Sequence, residues 1–145
     1  MKQVLIINGP NLNLLGKRQE NIYGNYKFED ILDDLKVFAK KHNIEIFYFQ
    51  SNIEGEIINK MHDSIGKIDY IILNPGALTH YSYSIQDAIT SINIPVIEVH
   101  ISNIFSREEW RKKSVISPVA RGIVCGLGTI VYKMALFYII ESTKN

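Results

Sequence analysis

One cysteine, Cys125, stands in a chain of 145 residues, which excludes an intramolecular disulfide and suits a reducing compartment. Charge of one sign does not prevail. Sixteen Lys plus Arg face fifteen Asp plus Glu, so no basic surface large enough to hold nucleic acid is expected. Long apolar runs are lacking too: the most hydrophobic stretch, Ile130 to Ile140, is interrupted by Lys133 and is too short for a bilayer. Met1-Lys-Gln3 leads straight into a strand-like run, without the regions of a signal peptide. Repeats, low-complexity tracts and linkers are also lacking. The expectation is one soluble, cytoplasmic domain spanning 1–145, long enough to bury a core without staples.

What is present alternates. Val4–Ile7, Ile44–Phe49, Tyr70–Leu73, Pro95–Val99 and Gly122–Cys125 read as short apolar strands. Between them apolar residues recur at helical spacing: Phe28, Ile31, Leu32, Leu35, Phe38 and Ala39; then Ile57, Ile58, Met61 and Ile65; then Ile85, Ala88, Ile89 and Ile92. A short helix is expected over Ser106–Lys113, with Ser106 and Glu109 as a capping box, and a closing helix from Ile130 to Glu141. Strands alternating with helices imply parallel strands joined by right-handed crossovers. Five strands in this length fit an α/β, flavodoxin-like, doubly wound sheet with helices on both faces.

Such a sheet places its chemistry beyond the carboxyl ends of its strands. The first strand ends in Asn8-Gly-Pro-Asn-Leu-Asn-Leu-Leu-Gly-Lys-Arg18, with Tyr23 five residues on. This loop carries amides, an arginine and a tyrosine, and neither a glycine cradle for phosphate nor a cluster of acids for a metal. The third strand ends in Asn74-Pro-Gly-Ala-Leu-Thr-His80, and the fourth in Glu98-Val-His100-Ile-Ser102-Asn103, with Arg107 and Arg111 following. Glu98 and His100 are two apart in a strand and so share a face, where a carboxylate orients an imidazole and stabilises its protonated form. Each residue also has a plainer reading. Tyr23 alone is a half-buried packing residue, His80 a turn residue, and Arg111 a partner for Glu108. His42 and His62 read as surface residues, and Cys125 as an inert core thiol. His100 is harder to dismiss, because a buried parallel strand calls for an apolar side chain there.

Other chemistries fit less well. His80 and His100 lie on separate strands without ligand spacing, so no metal is expected. Gly122-Ile-Val-Cys-Gly-Leu-Gly128 only superficially resembles a dinucleotide fingerprint, since no distal ribose-binding acid follows in a strand–loop–helix unit. Close packing of the last helix on the sheet is the better account of those glycines. A flavin-binding module on the same fold needs a phosphate loop that Asn8–Leu15 does not provide. A phospho-acceptor domain needs acids where Asn8 and Asn74 stand.

The three motifs, in this order and spacing, resemble those of the type II 3-dehydroquinate dehydratases, and the likeness extends over essentially the whole chain. The resemblance implies trans dehydration of 3-dehydroquinate to 3-dehydroshikimate through an enolate, in the shikimate pathway, with no metal or organic cofactor. It implies Tyr23 as the base, Arg18 as the transition-state-stabilising arginine, His100 as the acid with Glu98 orienting it, and Asn11 at the developing enolate oxygen. It further implies Ile101 and Ser102 around the substrate carboxylate, Asn74, His80 and Arg111 on the ring hydroxyls, and Asp87 delivered from a neighbouring subunit of a dodecamer of four trimers. The chain departs from the family where Arg18-Gln19-Glu20 stands for a segment that usually carries proline, and where Tyr81 follows His80 in place of Thr or Ser. Lack of the proline removes a fixed φ, from which a more mobile lid and a weaker kcat/KM are expected.

Overall fold

A computed structural model of the chain describes residues 1–15 and 27–144. Arg18, Gln19, Glu20 and Tyr23 lie outside the described residues. The strands are β1 (Lys2–Asn8), β2 (Ile44–Gln50), β3 (Tyr70–Asn74), β4 (Val96–His100) and β5 (Gly122–Cys125). All pair in parallel in the order β2-β1-β3-β4-β5, the flavodoxin-like winding.

Four helices connect and close the sheet among the described residues: α1 (Phe28–Lys40), α2 (Glu54–Asp63), α3 (Tyr83–Ile92) and α4 (Val131–Ser142). Their ends follow local chemistry. Glu29 and Asp30 sit in the first turn of α1 and Lys40 in its last, signs that complement the helix dipole. Ser82 caps α3 by accepting from the Ile85 N–H at 3.1 Å. Asn93, left-handed at φ 57°, ends that helix.

Alternation along the central strands divides the apolar residues between two layers. Val4, Ile6, Ile72, Ile97 and Val99 pack with α1 and α4, while Leu5, Ile7, Ile71, Leu73 and Val96 pack with α2 and α3. Glu98 and His100 share the face of Val96. They end β4 on the α2–α3 side, above the point where apolar packing stops.

Three expectations need correction. The 106–113 segment forms no single helix but 3-10 turns at Ile104–Ser106 and Glu109–Lys112. Asn103, not Ser106, supplies the cap by accepting from the Phe105 N–H at 3.1 Å, and the Ser106 hydroxyl bonds back to the Asn103 carbonyl. The glycines after β5 do not serve close helix packing. Gly126 and Gly128 have φ of 86° and 75°, and a Cβ on Gly126 would stand 2.9 Å from that of Asn103, so the turn after β5 needs the left-handed region and the space. Cys125 is half-buried rather than in the core, and its Sγ lies 3.5 Å from the Ser102 carbonyl oxygen. His42 and His62 are exposed as expected, with His42 in the turn after α1 against the Phe38 ring.

Candidate active site

Register lines up polar residues at the carboxyl edge. Gln50, Asn8 and Asn74 are paired across β2, β1 and β3, and His100 pairs with Cys125 across β4 and β5. Asn8 and Asn74 are buried, 0% and 3% exposed, so their amides must find partners. They do so through one phenol. The Tyr132 hydroxyl donates to Asn8 Oδ1 at 2.7 Å and accepts from Asn74 Nδ2 at 2.9 Å. Asn8 Nδ2 donates in turn to the Tyr48 hydroxyl at 3.3 Å. Burial, opposed by this bond, pushes the Tyr48 phenol up from its usual value, so it stays neutral.

The loops after β1 and β3 touch backbone to backbone. The Gly9 N–H donates to the Asn74 carbonyl at 2.8 Å, and a Cβ on Gly9 would stand 2.7 Å from the Pro75 oxygen. Only glycine allows that approach. The β2 end braces the same loop: Gln50 Nε2 donates to the Gly9 carbonyl at 3.2 Å, and Asn52 Oδ1 accepts from the Asn11 N–H at 2.9 Å. Asn11 is thereby held left-handed at φ 72°, a region asparagine tolerates.

On the other side of the pocket, Glu98 is fully buried and its Oε2 meets His100 Nε2 at 2.5 Å. A carboxyl this deep would ordinarily become neutral. Burial does push its pKa up, but the hydrogen bond and charge of His100, with the Ser117 and Thr79 hydroxyls, outweigh it and hold the carboxyl below its usual range. Because Nε2 faces Glu98, Nδ1 is the ring nitrogen left without a partner among the described residues.

His80 is fixed differently. Its Nδ1 meets the Lys113 carbonyl at 2.7 Å, so Nδ1 carries the proton and Nε2 a lone pair. Burial, aided by the charges of His100 and Arg111, lowers its pKa against the opposing Lys113 bond, and the ring is neutral at pH 7. The Trp110 ring meets His80 edge-on at 5.2 Å between centroids, and Arg111 Cζ lies 4.1 Å from the centroid of that indole.

A polar pocket opens between these two sides. The structure brings Asn11, Asn74, His80, His100, Ile101, Ser102 and Arg111 together in its lining. Glu98 stands behind His100, outside that lining. Asp87 does not join them: it is an exposed residue of α3. Arg111 keeps the surface partner its plainer reading foresaw, Glu108 Oε2 at 3.2 Å, while also lining the pocket. Sequence reasoning gave no role to Arg107, yet it lines the pocket and its Nη1 donates to Ser102 Oγ at 3.2 Å. Its spacing of four from Arg111 was the available signal. Thr79, Ser114 and Ser117 gave none, being ordinary hydroxyls scattered over two segments. Among the described residues no group of three or more His, Cys, Asp or Glu is placed to hold a metal ion.

A buried carboxylate–imidazole pair, a neutral imidazole and guanidinium groups thus gather at the carboxyl edge of a flavodoxin-like α/β fold. Residues 2–140 match the family Dehydroquinase class II, and the chain belongs to that family. It is similar to the 3-dehydroquinate dehydratase of Caldicellulosiruptor bescii, 56% identical over 142 residues that cover 97% of this chain and 98% of the relative. The 3-dehydroquinate dehydratase of Bacillus subtilis is 49% identical over 141 residues, covering 97% and 95%. The crystal structure of the type II dehydroquinase from Butyrivibrio crossotus superposes with a TM-score of 0.92 at 46% identity, covering 97% of each chain.

Proposed function

We propose that the chain is a 3-dehydroquinate dehydratase of the shikimate pathway, which removes water from 3-dehydroquinate in the trans sense through an enolate. The observation that carries the reading is the Glu98–His100 pair, fully buried on its carboxylate side and opening on its imidazole side into a pocket that Asn11, Asn74, His80 and Arg111 also line. An imidazolium held by a buried carboxylate is a suitable donor to a departing hydroxyl.

In this reading Tyr23, as phenolate, takes the proton next to the ketone, and the electron pair moves into an enolate near Asn11. Collapse of the enolate breaks the carbon–oxygen bond, the hydroxyl takes a proton from His100, and water leaves. Returning a proton from Tyr23 to His100 completes the cycle. A free phenol is ionised in only roughly one molecule in a thousand at neutral pH, so the base needs nearby positive charge, for which Arg18 is the first candidate. Ile101 and Ser102 receive the substrate carboxylate, while Asn74, His80 and Arg111 hold the ring hydroxyls. The exposed position of Asp87 on α3 agrees with its delivery to a neighbouring copy's pocket in a dodecamer of four trimers. The enzyme works in the cytoplasm as a single domain without a cofactor.

The test is the appearance of ultraviolet absorbance from a conjugated enone carboxylate when 3-dehydroquinate is supplied. Metal chelator is expected to leave the rate unchanged. Tyr23→Phe is expected to lower kcat by roughly a hundredfold or more, the usual worth of a positioned acid–base group. Undiminished turnover in that variant would assign the base elsewhere. Inactivation by borohydride only in the presence of substrate would point to a Schiff-base lysine.

A further inference from the structure

The Glu98 carboxylate has more donors than an orienting role requires. Besides His100 Nε2, the Thr79 hydroxyl donates to Oε2, the Ser117 hydroxyl to Oε1 at 2.5 Å, and the Ser114 hydroxyl to both oxygens at 3.0 and 3.2 Å. Ser114 can only donate outward, because its oxygen already accepts the N–H groups of Ile116 at 3.1 Å and Ser117 at 2.9 Å. A hydroxyl has one proton and two lone pairs, so Ser114 has no acceptor site left for a protonated Glu98. Thr79 Oγ1 and Ser114 Oγ also meet at 3.1 Å. With three hydroxyls and His100 Nε2 directed at Glu98, one of those hydroxyls able only to donate, the cage favours a carboxylate over a carboxylic acid.

The cage is also rigidly mounted. Thr79 is fully buried on the 3-10 turn Gly76–His80. That turn is tied to the 113–117 segment by the Val115 N–H to the Thr79 carbonyl at 2.8 Å, and α3 holds the segment through Gln86 Nε2 to the Val115 carbonyl at 2.7 Å. Lys113, at the head of the same segment, fixes the His80 tautomer. One short stretch thus supplies hydrogen bonds both to the Glu98 carboxylate and to the His80 ring.

We propose that Thr79, Ser114 and Ser117 are positioning residues of the dehydration, whose hydroxyls keep Glu98 an anion that only accepts and so keep the pair's proton on His100. Without them the carboxylate becomes a stronger base that holds the shared Nε2 proton more tightly, and the pair gives up a proton to the leaving hydroxyl less readily. The inference rests on the reading of His100 as the acid.

Ser117→Ala and Thr79→Val test it, each removing one donor from the cage. The charged and titratable groups around the pair, His80 on the Gly76–His80 turn, Arg107 and Arg111 after β4, and Cys125 on β5, are unchanged in both. Expected in each is a fall in kcat of about tenfold, the worth of one hydrogen bond to a charged group, with KM unaltered and activity restored by Ser117→Thr. In substrate-free protein the His100 ring resonances report protonation of Glu98 by an acid-side inflection. Loss of a donor raises the carboxyl's pKa, so that inflection moves up by about one pH unit. The proposal is overturned if both kcat and the inflection stay put in both variants, if kcat falls with the inflection unmoved, or if the inflection moves with kcat intact. Absence of turnover in the unaltered enzyme would sink the functional reading instead, whereas the substrate-free inflection still reports on the cage.

Discussion

The two sides of the pocket end parallel strands alike but are built from different chemistry. At the ends of β1 and β3, Asn8 and Asn74 join Tyr132 of α4 and Tyr48 of β2, neutral groups linked by amide and phenol hydrogen bonds. At the end of β4 stand Glu98 and His100, with the hydroxyls of Thr79, Ser114 and Ser117 grouped around a buried charge. Neutral buried networks fix position and respond little to pH, whereas a buried charge couples geometry to protonation. One side can hold a ring while the other changes its proton count.

The strongest attempt to break this contrast is Glu98→Gln. The amide brings its own N–H toward hydroxyls that already donate, and it cannot favour an imidazolium. The expected loss in kcat is roughly a hundredfold, with KM little altered. The sign of the pH effect follows from the depressed pKa of Glu98. Its stabilisation is present above the unfolded carboxyl value of about 4.3 and is lost as pH falls through the folded value. Glu98→Gln should therefore melt well below the unaltered protein at pH 7, and the gap should close in acid. A constant gap across that range would mean that the charge of Glu98 does not contribute.

Tyr132→Phe probes the neutral side and should have a smaller effect of another kind. Removing the phenol oxygen leaves the buried Asn8 and Asn74 amides each one partner short, at a cost of about 1–3 kcal/mol in stability by denaturant titration. Substrate binding should weaken, read as a raised KM, while the shape of the kcat–pH profile stays the same. A shifted profile would erase the distinction between the two sides.

Trp110→Ala is expected to do least. It removes the plate under Arg111 and the edge contact with His80, raising KM by a few-fold, the range of one exposed cation–π contact. It should also return the pKa of His80 upward toward ~6.5 by lessening its burial, visible in an NMR titration of the histidine rings. Because His80 binds its proton less readily in the folded state, the unaltered protein should lose stability as pH drops through ~6.5. That loss should shrink in the variant.

Much of this was legible before folding. Short apolar runs placed every strand, because strands buried on both faces need apolar side chains throughout. Helical patterns placed the α1, α2, α3 and α4 helices, because burial of one face writes itself into spacing. The Glu98–His100 pair was legible because polar groups on a buried parallel strand are conspicuous. The 106–113 segment was misread because its capping residue, Asn103, lies outside the pattern that suggested a box. The glycines after β5 were misread because a left-handed turn and a tight packing site call for the same residue. Arg107 was visible but unassigned, as side-chain direction after a broken helix does not follow from spacing.

By itself, then, the sequence determined the order of strands and helices, the polar ends of β1, β3 and β4 and the family of the chain, since each depends on residues near one another in the chain. Only the tertiary structure decided that Thr79, Ser114 and Ser117 close around Glu98, that Tyr132 joins Asn8 to Asn74, and that Nε2 of His100 faces inward. Those bonds link residues far apart in sequence. Their partners are selected by the demand that buried polar groups be satisfied wherever the packed chain brings them.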